Sequence, residues 1–178
     1  MPDLHGTINH VALTVSDLDE AMRFYAPFLQ ALGYTTSEPM PYQGSRFTVN
    51  VHETHGTAIN VWQATKAHAF DPYEPGLHHL AFNVSSKSAV DAIHDLAREL
   101  GAEILDGPAE FPFAHQGYYA VYLLGPDDVK IEVVHMAGLA SAIERGRARV
   151  PVRRRARDMS RKPWKHGRRR FDATLPYL

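Results

Sequence analysis

The sequence predicts an α+β fold of two similar modules, each reading strand–helix–strand–strand–strand. Three observations predict it. First, "INHVALTV" near the front is echoed 69 residues later by "LHHLAFNV": Ile8 matches Leu77, His10 matches His79, Ala12 matches Ala81 and Val15 matches Val84. Such self-similarity marks duplicated structure. Second, apolar residues in each copy alternate with small or polar ones, the period-2 mark of a half-buried strand. Third, each copy is followed by an apolar stripe at helical spacing and then by three short strand-like runs.

The elements follow in order. After the first strand, Ser16 is placed to cap a helix, and Asp17, Asp19 and Glu20 suit the positive end of its dipole. Ala21, Phe24, Tyr25, Phe28 and Leu32 form the buried stripe, and Gly33 suits the stop. Strands are expected at 34–38, 45–52 and 57–64, and "TKAHAFDPYEPG" at 65–76 links the halves. In the second copy Ser85 or Ser86 caps, Val90, Ile93, Leu96, Ala97 and Leu100 form the stripe, and Gly101 stops it. Strands follow at 102–106, 117–124 and 129–135, the last two joined by the turn "GPDD" at 125–128. The modules thus span about 7–64 and 77–136.

Composition sets outer bounds. The 178 residues suffice for one ordinary domain, and with no cysteine there is neither a disulfide framework nor a thiolate ligand. The N-terminus lacks the basic start and apolar run of a signal peptide, and no apolar stretch is long enough to span a membrane. A cytoplasmic protein without a membrane partner is the expectation. The net charge of −1 hides a split: residues 1–136 hold 6 Lys+Arg against 17 Asp+Glu, whereas 137–178 hold 13 against 3. A domain over 1–136 with a flexible basic C-terminal extension over 137–178 follows. That extension, with Trp164, Phe171 and Tyr177, has the composition to bind nucleic acid. The simpler expectation is a solvated tail.

The last strands of the halves also align, "AINVW" with "KIEVV", so Asn60 corresponds to Glu132. If the halves pack with two-fold symmetry, His10, His79 and Glu132 converge, with Asn60 at a fourth corner. Two imidazoles and a carboxylate with open positions suit Fe(II), and also Mn, Ni, Co or Zn. A single strand histidine is ordinarily structural; the matched pair, plus a carboxylate in an otherwise apolar strand, is what points to a metal. His78 should face the other side of its strand.

"INHVALTV", "HHLAFNV" and "YAVYLLGPDDVKIEVVH" together resemble the vicinal oxygen chelate superfamily over residues 7–136. This group contains glyoxalase I, extradiol ring-cleaving dioxygenases, fosfomycin-modifying enzymes and bleomycin-binding proteins. The resemblance implies paired βαβββ modules forming a partly closed mixed sheet around one divalent metal, held by His10, His79 and Glu132. It implies a small-molecule substrate that chelates the metal through two adjacent oxygens. It also implies a homodimer, in which modules pair within a chain or across two. The family's common "DPDG" turn stands here as "GPDD". Tyr122, ten residues before Glu132, matches a substrate-facing tyrosine of the dioxygenases and fosfomycin-modifying enzymes.

His115, in the loop "FPFAHQGYY", is the preferred acid or base, with His52 and His55 behind it. Phe111, Phe113, Tyr118 and Trp62 can wall a ring. Glyoxalase I carries a basic glutamate at the corner occupied here by Asn60, and an amide cannot abstract a proton. The expectation is therefore an iron-dependent ring-cleaving dioxygenase. The alternatives are a glyoxalase I-like lyase or isomerase, an epoxide-opening enzyme, and a non-catalytic binder; retention of all three ligand positions counts against the last.

Overall fold

The computed structural model describes residues 8–66, 68–111 and 117–136. The basic extension and the segment holding Phe113 and His115 lie outside the described residues. All described residues belong to one compact unit, Met1–Leu139. No helix among them is long and apolar enough to cross a membrane.

The first module runs β1 (His10–Val15), α1 (Leu18–Ala31), β2 (Tyr34–Thr36), β3 (Met40–Tyr42), β4 (Ser45–His52) and β5 (Ala58–Gln63). The second runs β6 (Leu80–Asn83), α2 (Lys87–Glu99), β7 (Glu103–Glu110), β8 (Tyr118–Leu124) and β9 (Lys130–Met136), with a short 3-10 turn at Pro126–Asp128. The sheets have the same plan: β1-β5-β4-β2, with β3 added on β4, and β6-β9-β8-β7. In each, the first strand lies parallel to the last. Register carries the repeat through to single residues. Ala12 pairs with Asn60, and its counterpart Ala81 pairs with Glu132. Asn60 is therefore the structural equivalent of Glu132.

Three details differ from the sequence reading. Asp17, not Ser16, caps α1, its side chain accepting from the Glu20 amide. Ser16 is drawn away: its amide donates to Asp127 Oδ2 at 2.8 Å and its hydroxyl to Oδ1. The segment 34–42 forms two short strands, because β3 folds back on β4 as an edge piece that tolerates Pro41. β7 continues to Glu110 rather than stopping near 106, through an irregular stretch between Ile104 and Ala109. At Gly107 in that stretch φ is +80°, and a Cβ would lie 2.4 Å from the Ala120 carbonyl, so glycine is required. Elsewhere the expected caps hold: Ser86 accepts from the Ala89 amide, and Gly33 and Gly101 end the helices with φ of +89° and +84°.

The helices cover one face of the two sheets and fuse the modules into one core. Phe24, Tyr25, Phe28 and Leu29 of α1 join Val90, Ile93 and Ala97 of α2 and the inward residues of both sheets. Phe82 on β6 meets Phe28 and Tyr34 of the first module edge-on, each at 6.1 Å between ring centroids. On the opposite face, β1 exposes His10, Ala12 and Thr14, and β5 leaves Ala58, Asn60 and Trp62 half-buried. β1 and β6 end their sheets as open edges and are not hydrogen-bonded to each other.

Candidate metal centre

Glu132 lies in the middle of β9, flanked by the fully buried Ile131 and Val133, and is itself only 2% exposed. Strand alternation turns it to the face away from the helices. A carboxylate so placed needs partners, and three residues supply them. His79 Nε2 lies 3.1 Å from Glu132 Oε2. The Tyr118 hydroxyl donates a short hydrogen bond to Oε1. Tyr122, directly opposite Glu132 in the antiparallel β8–β9 pair, also hydrogen-bonds to it and to Tyr118. Both tyrosines face the site because they stand four residues apart on one strand.

Both phenols are held protonated. Burial, then the hydrogen bond and charge of Glu132, push Tyr118 up to about 12, against the smaller opposing effect of its bond with Tyr122. Burial first, then Glu132 and Tyr118, push Tyr122 upward as well. They are hydrogen-bond donors at neutral pH, not bases.

His79 precedes β6 rather than lying in it, so strand alternation does not separate it from His78. Contrary to expectation the two rings meet, with Nδ1 to Nδ1 at 2.7 Å. Burial, then the charges of Lys130 and His79, lower the His78 pKa, which keeps it a neutral acceptor. If His79 Nε2 binds a cation, its proton sits on Nδ1 and donates to His78, the supporting contact that orients metal-binding histidines. Tyr122 stands edge-on to His79 at 6.3 Å and to Phe111 at 5.4 Å.

The structure thus brings together His79, Glu132 and Tyr122 of the sequence-predicted site. It does not bring His10 to them within the chain. His10 lies on the open edge of the other sheet, its Nδ1 2.9 Å from Asn9 Oδ1. Among the described residues no three His, Cys, Asp or Glu side chains of one chain gather closely enough to hold an ion. Asn60 Oδ1, on the same face as His10, is buried and finds no hydrogen-bond partner among the described residues. His115 lies outside them. His52 is occupied structurally, its Nδ1 accepting from the Thr54 and His55 amides in the β4–β5 hairpin. Sequence reasoning missed the supporting part of Tyr118, legible in the Tyr118/Tyr122 spacing. It also missed Tyr73, which the linker carries to His78 and Lys130 with no pattern to announce it.

The residues present fit a divalent ion. His79 Nε2 and Glu132 Oε2, 3.1 Å apart, match two neighbouring donors on one ion about 2.0–2.2 Å from each. An imidazole and carboxylate donor set suits borderline divalent metals.

Comparisons with known proteins agree with this architecture. The family model described as Glyoxalase/Bleomycin resistance protein/Dioxygenase superfamily matches residues 7–133. The uncharacterized protein YqjT of Bacillus subtilis (strain 168) is 30% identical over 132 residues, covering 71% of this chain and 97% of that protein. The crystal structure of a glyoxylase/bleomycin resistance protein/dioxygenase domain from Frankia sp. EAN1pec superposes with a TM-score of 0.63 at 24% identity, covering 74% of this chain and 98% of that one. The fosfomycin resistance protein FosX from Listeria monocytogenes gives a TM-score of 0.56 at 18% identity, covering 75% and 96%. Duplicated modules, matching strand order and a family match over most of the chain converge on one conclusion: this protein is a member of the Glyoxalase/Bleomycin resistance protein/Dioxygenase superfamily, the vicinal oxygen chelate group.

Proposed function

We propose that the protein is a divalent-metal-dependent enzyme, working as a homodimer, that acts on a small molecule presenting two adjacent oxygens. One observation carries this reading: the buried Glu132 is held by His79 and two phenols on an open sheet face. Its symmetry mate Asn60 shares the other sheet's open face with His10. Unprotected edges such as β1 and β6 are ordinarily covered in native proteins. A two-fold dimer that joins β1 of one chain to β6 of another covers both. It also brings His10 and Asn60 to the partner's half of the site, making an isologous interface with two equal centres.

A divalent ion bound there supplies Lewis acidity, lowering the pKa of a coordinated hydroxyl. The chain's own residues do the rest. Tyr118 anchors one oxygen of Glu132 and leaves the other toward the ion. Tyr122, which donates to Glu132, would turn that proton to a substrate oxygen when Glu132 is engaged by the ion. Asn60 offers a neutral amide where a lyase of the glyoxalase I kind needs a carboxylate base. With no base at that corner, ring-cleaving dioxygenase chemistry with Fe(II) is the favoured reaction.

Metal analysis of anaerobically purified protein tests the reading, beside His10→Ala and Glu132→Ala. Near-stoichiometric iron, lost in both variants, is the expected result, with oxygen uptake on catechol-type substrates as the next assay. Nickel, zinc, cobalt or manganese in its place moves the reaction to isomerase, lyase or epoxide-opening chemistry. No metal, even after reconstitution, overturns the enzyme reading and leaves a binding protein.

A further inference from the structure

Lys130 stands two residues before Glu132 on β9, so alternation puts both side chains on the same sheet face. It is half-buried, yet makes no ion pair among the described residues. Its ammonium is held by aromatic rings instead. Nζ lies 5.5 Å from the ring centroid of Tyr122 and 5.3 Å from that of Tyr73, and it donates to the Tyr73 hydroxyl at 3.4 Å. Tyr73 comes from the linker between the modules, in a turn where the Asp71 carboxylate accepts from its amide at 2.8 Å. Tyr73 is 62% exposed and Lys130 only half-buried, so this corner of the sheet face reaches solvent.

A partly desolvated cation without an anion is costly, and two ring faces compensate only in part. Stacking of this kind nevertheless fixes the ammonium in place. One of the two rings, Tyr122, also hydrogen-bonds to Glu132, so a group bound to Lys130 lies beside the carboxylate corner. We infer that Lys130, framed by Tyr73 and Tyr122, is a subsite for an oxyanion: the substrate carries a carboxylate or similar anionic group in addition to its two chelating oxygens. This rests on the proposed metal site and adds the substrate's charge class to it.

The test uses full-length protein loaded with Mn(II), with catechol and 3,4-dihydroxybenzoate as probes. The two differ only by a carboxylate. Calorimetric titration should show the carboxylate-bearing probe binding about tenfold more tightly to wild type, an advantage that shrinks as salt rises. Lys130→Met should abolish that advantage while keeping Mn(II) stoichiometry and leaving catechol affinity within about twofold. Lys130→Arg should retain it. Equal affinity of wild type for the two probes overturns the inference. So does a preference that survives Lys130→Met, or Mn(II) uptake with binding of neither probe. Failure to take up Mn(II) is read before any probe is added; it sinks the metal-site reading itself, and the subsite with it.

Discussion

Glu132 shows most directly how a single residue constrains the chemistry. A carboxylate 2% exposed among Ile131, Val133 and Val134 is tolerable only with partners, and all of its partners face one side of the sheet. Replacing Tyr118 with Phe frees one carboxylate oxygen and should weaken metal affinity by about 10–100-fold, the usual effect of losing a supporting hydrogen bond. Competition against a chelator measures this. The phenols also predict an alkaline response. Tyr118 titrates up to about 12 in the fold against an ordinary 10.0. A phenol whose folded pKa is raised contributes stability that is fully present below pH 10 and is lost as pH rises toward 12. Tyr122 and Tyr25 are raised as well, so ultraviolet titration of the metal-free protein should show a late phenolate absorbance that is one tyrosine smaller in Tyr118→Phe, and that variant should lose less stability between pH 10 and 12. Glu132 and His79 were legible in the sequence because the repeat sets their register, whereas Tyr122 was legible only through the family resemblance, by its place ten residues before Glu132. The meeting of Tyr73 with Lys130 was not, since a linker's landing place leaves no periodic trace.

At the scale of elements, propensity and packing trade against each other. α1 continues through Pro27, which removes one backbone donor from the helix interior. Burial of Phe24, Tyr25, Phe28 and Leu29 offsets that loss. The stripe was legible across the proline because apolar spacing outlasts one breaker. β3 was hidden, since a three-residue edge strand containing Pro41 reads as a turn. The length of β7 was hidden too: "DGP" looks like a strand end, whereas the chain bends there and goes on pairing with β8. Gly107 makes the bend, and Gly107→Ala should destabilise the fold by more than about 1 kcal/mol. The measurement is a lower urea midpoint at unchanged slope.

For the whole molecule, the repeat made topology legible: two sheets sharing one four-strand order, β3 being an addition to the first, followed from two matching strings. How the halves meet was not legible. The same alternating pattern serves a strand whether its edge faces its own chain or a copy. The structure answers half of that question by fusing the modules through α1, α2 and Phe82 and leaving β1 and β6 unjoined. Within one chain, His10 and Glu132 thus belong to different sheets. In the proposed dimer they belong to different centres, and this has a genetic meaning. His10→Ala and Glu132→Ala should each be inactive alone. Refolded together in equal amounts, half the dimers pair one of each chain. Such a dimer gathers both lesions in one centre and leaves the other intact, so about a quarter of wild-type activity should return. Two dead alleles would then complement each other, which centres built within single chains could never do.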